Sequence, residues 1–521
     1  MPAVPLTAAP VTVPFLETLK NISSIASTPW TLEMLDNFPI TTWNIQLQEY
    51  GMLSDWYEGS NLAETTVDPK SKKAVEKFPI RINPIRNTCE KHAVTLLGTS
   101  LDSIHQGAMP IKIHADPTEA SKEQVTRIEK ALTTCFADSN AGSLFMQNAI
   151  QSQYLGGCVW CATYLPEQKK ILISAPLPQE FVGIPDGTDY YNLKECWIIK
   201  SLTWDELKQY GEFKDEGYNS ANGNDISWWY IEHWTRTLHE VNINGTSLIQ
   251  DNTNPFGVVP VVYIPHIRLN KFRGESIITD MVKGLVREIN LREADVGDAV
   301  SEDTHAYIWV RNIRGSLETI QIGDGRPIVN LGATSGLTGN ESNPDMQAVN
   351  NKSATLPILN FNKSLVDYYR IEVNHPAVAD GVDQGSQRSS VTLNARMWPL
   401  TSHVEAERIF WSVGFTTFGK ILLKMMQVIG LNDIIEDDLK VQLVIEWSPT
   451  LPRDRDGMVQ EVAIRAKNKV GSIKHLIELL GDTPDAEAEL AQIRSEKDIV
   501  PPPGGGFGDP GGGSGGIKPT H

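Results

Sequence analysis

Apolar residues recur at helical spacing from Pro84 to Leu97 and again from Lys122 to Phe136. Gln124 stands three residues after Ser121, the pattern of a capping box, so the second helix has a marked start. After Gly156 and Gly157 the pattern changes to short β-branched or aromatic runs, CVWCATYL, KKILISAP, KECWIIKSL and SWWYIEHWTRTLHEVNIN, separated by turn residues. The first half of the chain reads as α+β.

The second half opens on an extended, proline-bounded segment, NPFGVVPVVYIPH, and passes into GESIITDMVKGLVREINLREADVGDAV. There Ile278, Met281, Val282, Leu285 and Ile289 form a narrow helical stripe, and Glu288 with Arg292 makes an i,i+4 pair on another face. A helix with one such stripe cannot bury it alone, so packing against a second helix and against sibling copies is expected. A small β unit follows, AYIWVRNI, ETIQIG and RPIVNL, and then a polar run from Gly332 to Ser353 that reads as an exposed loop. Helical spacing returns from Leu356 to Val373, which makes the β unit an insertion between two helices. A very long helical stretch runs from Ser390 to about Gly430 and should kink or break at Pro399. The strand KVQLVIEW and three short helices, Gly457 to Lys467, Ser472 to Leu480 and Asp485 to Glu496, complete the folded part. The PPPGGGFGDPGGGSGG tail has little to bury.

Composition narrows the function classes. The 46 Lys plus Arg against 64 Asp plus Glu give a net charge of −18, which disfavours a protein that grips duplex DNA through its phosphates. It does not disfavour a conduit, since an acidic wall lets DNA slide. Five cysteines in 521 residues, with no basic and apolar leader, suit synthesis in a reducing cytoplasm. The apolar stretch from Ile409 to Ile429 is interrupted by Lys420 and Lys424 and is read as a buried helix, not a membrane span.

No catalytic or cofactor pattern stands out. Cys158 and Cys161 have no second pair at zinc spacing, and buried strand cysteines account for them. His233 and His239 lie on an alternating, Trp-rich strand without the spacing of a zinc-binding helix. Gly323 and Gly325 lack the rest of a dinucleotide loop, the stretch from Gly414 to Lys420 ends in Ile421 instead of a magnesium-binding hydroxyl, and Ser386, Ser389 and Ser390 lack a nucleophile elbow. No cofactor, metal or enzymatic activity is expected. The rival classes are a hydrolase with a concave site and a membrane pore built on Ile409 to Ile429.

Four marks in order carry a family resemblance. They are EYGMLSDWYEG near the start, NPFGVVPVVYIPHIRLNKFRGESIITDMVKGLVREIN, then GVDQGSQRSSVTLNARMWPL, and finally WSPTLPRDRDGMVQEVAIRAKNKVGSIKHLIELLG. Around the pattern of helix, β insertion, helix, loop and long helix, the chain resembles the portal proteins of tailed bacteriophages. The resemblance implies an α+β portal fold with wing, stem, clip and crown, and a ring, usually a dodecamer, around an axial DNA channel. By that likeness residues 1–272 are wing, 273–300 and 354–374 the stem helices, and 301–353 the clip. Residues 375–389 become the tunnel loop, 390–447 the long kinked helix and a wing return strand, 448–499 the crown and 500–521 a flexible tail.

The same resemblance implies a virion protein at one capsid vertex, made in the host cytoplasm and not in a membrane. Its partners would be the terminase, head-completion adaptor and tail proteins, major capsid and scaffolding proteins, and the double-stranded DNA in the channel. Asp380, Asp383, Gln384, Gln387 and Arg388 are the expected channel residues of the tunnel loop. Trp309, Arg311, Arg314, Asn340 and Asp345 are the expected partner-binding residues of the clip.

Overall fold

The computed structural model describes residues 40–62, 65–67, 74–76, 81–98, 111–116, 120–166, 168–202, 228–243, 246–247, 253–269, 271–304, 308–311, 328–330, 345–348, 355–382, 390–450, 455–480 and 486–499. The chain divides into two compact units, Met1–Leu451 and Pro452–His521.

The first unit begins with α1 (Ile40–Glu58), a short antiparallel pair of β1 (Thr65–Val67) and β2 (Ala74–Glu76), α2 (Pro84–Leu97) and β3 (Ile111–Ala115). Pro84 occupies the first turn of α2, where its missing N–H costs nothing. Next come α3 (Lys122–Asp138) and α4 (Ala141–Leu155). The capping box of α3 is formed: the Gln124 N–H donates to Ser121 Oγ at 3.3 Å and the Ser121 N–H to Gln124 Oε1 at 3.0 Å.

The β region contains β4 (Gly157–Leu165), β5 (Lys170–Ser174), β6 (Phe181–Asp186), β7 (Asp189–Leu202), β8 (Trp228–Thr235), β9 (His239–Ile243), β10 (Thr246–Ser247) and β11 (Val261–Pro265). They make a five-stranded sheet, ordered β10-β9-β8-β7-β6, and a three-stranded sheet, β11-β4-β5. The run from Trp228 to Ile243 is two strands, because the chain reverses at Arg236 and Thr237. Asn254 of the NPFG motif holds the approach to β11: its Nδ2 donates to the carbonyls of Thr235 (2.7 Å) and Val258 (2.9 Å), and its Oδ1 accepts from the Phe256 N–H (3.0 Å). That turn drives Phe256 into the core.

Then follow α5 (Asp280–Thr304), β12 (Ile308–Arg311), β13 (Ile328–Asn330), β14 (Asp345–Ala348), α6 (Thr355–Glu372), α7 (Ser390–Ile429) and β15 (Leu443–Trp447). The β unit thus does lie between two helices. Its strand β12 pairs in parallel with β13 and antiparallel with β14. The polar run read as a loop therefore contains a strand, which pairing with β12 selects where local polarity gives no sign of it. The ETIQIG run lies outside the described residues. β15 pairs antiparallel with β3, joining positions more than three hundred residues apart.

The main core is built where β11 and β4, buried along most of their length, meet α2, α3, α4 and α7. On α7 the residues Met397, Leu400, Val404, Trp411, Phe415, Phe418, Leu422 and Met425 face this core. The rings of Phe145 and Phe415 stack with centroids 5.4 Å apart, and Trp160 meets Phe415 edge-on at 4.9 Å. The stretch from Ile409 to Ile429 is a core helix, and among the described residues no helix is long and apolar enough to cross a membrane. The helix runs through Pro399 without a break. Trp447 is tied to it twice, by its Nε1–H donating to Ser412 Oγ at 2.8 Å and by the Arg408 guanidinium 4.8 Å from its ring centre.

A second cluster joins α5 and α6 to α1 and α2. Ile278, Val282, Val286 and Ile289 pack with Trp56, Ile85, Cys89, Leu365, Tyr369 and Val373. Two details of the expected stripe change. Met281 is 58% exposed while Val286 is fully buried, because the covering helices lie to one side of the stripe drawn from spacing. More important, this stripe is shielded inside a single chain, so it does not itself demand sibling copies. The helix starts at Asp280, not near Arg273, since residues 271–279 are irregular and bridge back through Glu275 to Ile267. Within the helix, the buried side chain of Asn290 donates to Ile82 O (2.9 Å) and accepts from the Ile82 N–H (2.7 Å). Arg292 Nε donates to Glu288 at 2.8 Å, the expected i,i+4 pair.

The second unit contains α8 (Arg455–Lys467), α9 (Ile473–Leu480) and α10 (Ala486–Ile499), close to the three helices expected. Ser472 Oγ accepts from the His475 N–H at 3.2 Å and caps α9, which accounts for the Gly-Ser start of that helix.

Candidate functional site

The base of the 375–389 segment is held by a group of polar contacts. At the end of α6, Asn374 takes a left-handed conformation (φ 52°) and reverses the chain. The His375 N–H donates to Arg370 O at 2.9 Å, and Ala377–Asp380 form one turn of 3-10 helix. Asp380 is then bonded from three sides: Asn87 Nδ2 at 2.7 Å, His375 Nε2 at 2.8 Å and Arg370 Nη2 at 3.2 Å. Burial pushes its carboxyl up, but the bond from His375, the His375 charge and the Asn87 and Arg370 donors hold it below the usual carboxylate range. A carboxylate so placed ties α2, α6 and the following turn together.

Behind Asp380 lies a group of imidazoles from four parts of the fold. His375 faces His92 of α2 (centroids 5.7 Å apart), His92 meets His403 of α7 edge-on (5.3 Å), and His403 lies 5.2 Å from His266, which follows β11. His403 Nε2 and His266 Nε2 are 3.2 Å apart. One turn along α7, the buried Glu407 accepts from Gln153 Nε2 (3.0 and 2.8 Å) and Ser152 Oγ (3.1 Å), with His266 Nε2 3.8 Å away. Both nitrogens of His92 are buried without a hydrogen bond among the described residues. Burial lowers His266 and His403 to about 4 and His92 well below its ordinary value, and raises Glu407 to about 7.

Two glycines set His266. The chain passes so closely between Gly156 and Gly274 that a Cβ on Gly156 would sit 2.6 Å from Gly274 O, and one on Gly274 would overlap Gly156 O. Through that gap the His266 N–H donates to Gly156 O at 3.0 Å, and His266 Nδ1 donates to Glu275 O at 2.9 Å. Ser276, two residues after Gly274, donates to Tyr154 O at 2.7 Å and accepts from the Ile278 N–H at 3.0 Å. The Gly-x-Ser of the sequence is thus the hinge between the β11 edge and α5.

Of the expected tunnel-loop residues, the structure places Asp380 in this bonded base, with 22% of its side chain exposed. Asp383, Gln384, Gln387 and Arg388 lie outside the described residues. Of the expected clip residues, Trp309 and Arg311 are on β12, where Arg311 is the register partner of Asp345 on β14. Arg314 and Asn340 lie outside the described residues.

A family model described as "Phage portal protein, SPP1 Gp6-like" matches residues 37–500, nearly the whole chain. The chain belongs to the phage portal protein family. A search of curated proteins finds no match. As a phage portal protein it is a component of the bacteriophage capsid. The match runs from α1 to the last residue of the second unit's α10 and one beyond, so both units belong to the portal chain.

The buried histidines of this portal protein were not legible in its sequence, where His233 and His239 drew attention instead. Those two prove to be sheet residues: His233 Nε2 bonds Glu195 at 2.8 Å and stacks on Trp197, and His239 bonds Glu232 at 3.1 Å and stacks on Trp234. One local signal did exist. His403 and Glu407 are four apart on a helix that is otherwise apolar on that face, which marks a buried polar pair. The cysteines fit the plainer reading. All five are buried, and on β4 burial raises the Cys161 thiol to about 12.

Proposed function

We propose that the chain assembles as a ring, a dodecamer by family habit, forming the channel at one capsid vertex through which DNA is packaged and ejected. The family match over residues 37–500 carries this reading. In it, residues 1–272 are wing, 273–300 and 354–374 the stem helices, 301–353 the clip, 375–389 the tunnel loop, 390–447 the long helix and wing return strand, and 448–499 the crown. The ring expectation draws physical support from a different surface than the stripe on α5. Helix α6 also carries exposed apolar side chains, Phe361, Tyr368 and Ile371, with Ile371 72% exposed, beside the buried Leu365 and Tyr369. A helix packed within its own chain that still exposes apolar side chains is what a stem shared between copies requires.

Negative-stain images of the purified protein test the ring: a large particle with a central hole is expected, and a lone compact particle at high concentration defeats the reading. Tyr368→Glu with Ile371→Glu should yield folded chains that no longer close into rings.

The tunnel loop would line the bore, with Asp383 repelling and Arg388 briefly meeting phosphate, so that DNA slides without sticking. Deleting Gly381 to Gln387 should leave assembly intact and impair packaging; heads filled normally by that mutant would refute the role. The clip, with Trp309, Arg311, Arg314, Asn340 and Asp345, would dock the terminase during filling and the head-completion adaptor and tail proteins afterwards. Removing residues 334–344, which spares β14, should weaken both associations in pull-down measurements. Major capsid and scaffolding proteins would contact the wing.

A further inference from the structure

We propose that His92, His266, His375, His403 and Glu407 form a protonation-sensitive clasp that holds residues 375–382 against α2 and α7 at neutral pH and lets them go on acidification. The hydrogen-bond geometry fixes the protons. His266 Nδ1 faces the Glu275 carbonyl at 2.9 Å, which can only accept, so Nδ1 carries hydrogen and the neutral ring offers Nε2 as a lone pair. His403 Nε2, 3.2 Å away, must then be the donor. His375 Nε2 donates to Asp380, and its Nδ1 has no hydrogen bond among the described residues. His266 is thereby assigned as neutral, and His92, which has no hydrogen bond among the described residues, is in ring contact with His375 and His403.

A proton added at His266 Nε2 consumes the lone pair that accepts from His403, so two N–H groups then point at each other across 3.2 Å. The ring cannot turn to Glu407 without giving up its bond to Glu275 O. Glu407 is itself unsuited as a standing counter-charge, since burial raises it to about 7 and it becomes neutral first as pH falls. The other charged or titratable groups around the cluster do not compensate. Arg370 and Asp380 are bonded to each other, Arg408 is turned to Glu405 and Leu96 O, and burial keeps the Cys158 thiol protonated. The neutral donor Gln153 of α4 is bonded to Glu407, and Ser152 Oγ is shared between Glu407 and Ala149 O. Repulsion within the cluster is relieved when the 375–382 turn lifts and water reaches His92 and His403. This device does not depend on where residues 383–389 sit in a ring.

Hydrogen exchange of residues 375–382 in the purified full chain tests it, after correction for the intrinsic pH dependence of exchange. Protection should fall at least about tenfold between roughly pH 6.5 and roughly pH 5.5, the effect of one linked proton per pH unit. Protection that stays level over that range overturns the proposal, whatever the variants do. The pair His92→Leu with His403→Gln removes two titrating rings while Gln keeps an N–H toward His266, and should flatten the slope with neutral-pH protection retained. A wild-type slope in that pair would sink the idea. His233→Gln on the outer sheet should leave the slope unchanged, and a flattened slope there would count equally against it.

Discussion

The five-stranded sheet and the junction of α2, α6 and α7 both carry histidines, and they solve the same chemical problem in opposite ways. On the sheet each ring lies flat on a tryptophan and points a nitrogen at a carboxylate, His233 to Glu195 and His239 to Glu232. A proton gained there meets a counter-charge already in place. At the junction His375 also points a nitrogen at a carboxylate, that of Asp380, but between His266 and His403 a gained proton meets another N–H. The lesson is that burial alone does not make a histidine sensitive to acid: the neighbour's sign decides.

The largest break in the comparison should come from acid. His92, His266 and His403 have lowered values in the folded chain, so the unfolded chain takes their protons first and stability is lost as pH falls below 6.5 towards 4. Glu407 works the other way: raised to about 7 from 4.5, its stabilising contribution is present below 4.5 and is lost as pH rises through 7. Three imidazoles against one carboxyl leave a net uptake of two protons on unfolding between those limits. At about 1.4 kcal/mol per proton and pH unit, stability should drop by several kcal/mol across that window. Asp380 acts lower, its contribution lost only as pH falls below the ordinary 3.8. Urea melts at stepped pH check this, with the optimum expected near pH 6.5.

Gly274→Ala comes next. Its added methyl overlaps Gly156 O and displaces His266, and about 2–3 kcal/mol of stability should be lost in denaturant melts. A smaller effect is expected on the sheet, where His233→Gln gives up one carboxylate partner and one stacking face and should cost about 1 kcal/mol. Least of all is His92→Leu, which exchanges two unbonded buried nitrogens for apolar atoms of similar volume. It should be neutral or stabilising by up to about 1 kcal/mol, and a clear loss of stability would reveal a partner for that ring.

What was legible in the chain was what its own neighbours along the sequence dictate. The capping box of α3, the extent of α2, the strand runs of the first sheet, the insertion between α5 and α6 and the three closing helices follow from spacing, caps and turn chemistry. Asn254 of NPFG and Ser276 of Gly-x-Ser each accept from the backbone N–H two residues on and hold a local turn. The strand β14 was hidden because Asp345 to Ala348 looks polar until β12 pairs with it.

Periodicity determines that α5 has a greasy side, but which residues that side contains was settled by where α1, α2 and α6 lie, hence Val286 in place of Met281. Likewise, the sequence holds His92, His266, His375 and His403 at separations from twenty-eight to more than three hundred residues, with no spacing that joins them. Only the packing of α2, the β11 edge and α7 brings those rings within contact, because a buried polar cluster is made by long-range burial, and burial belongs to the folded whole and not to any stretch of chain.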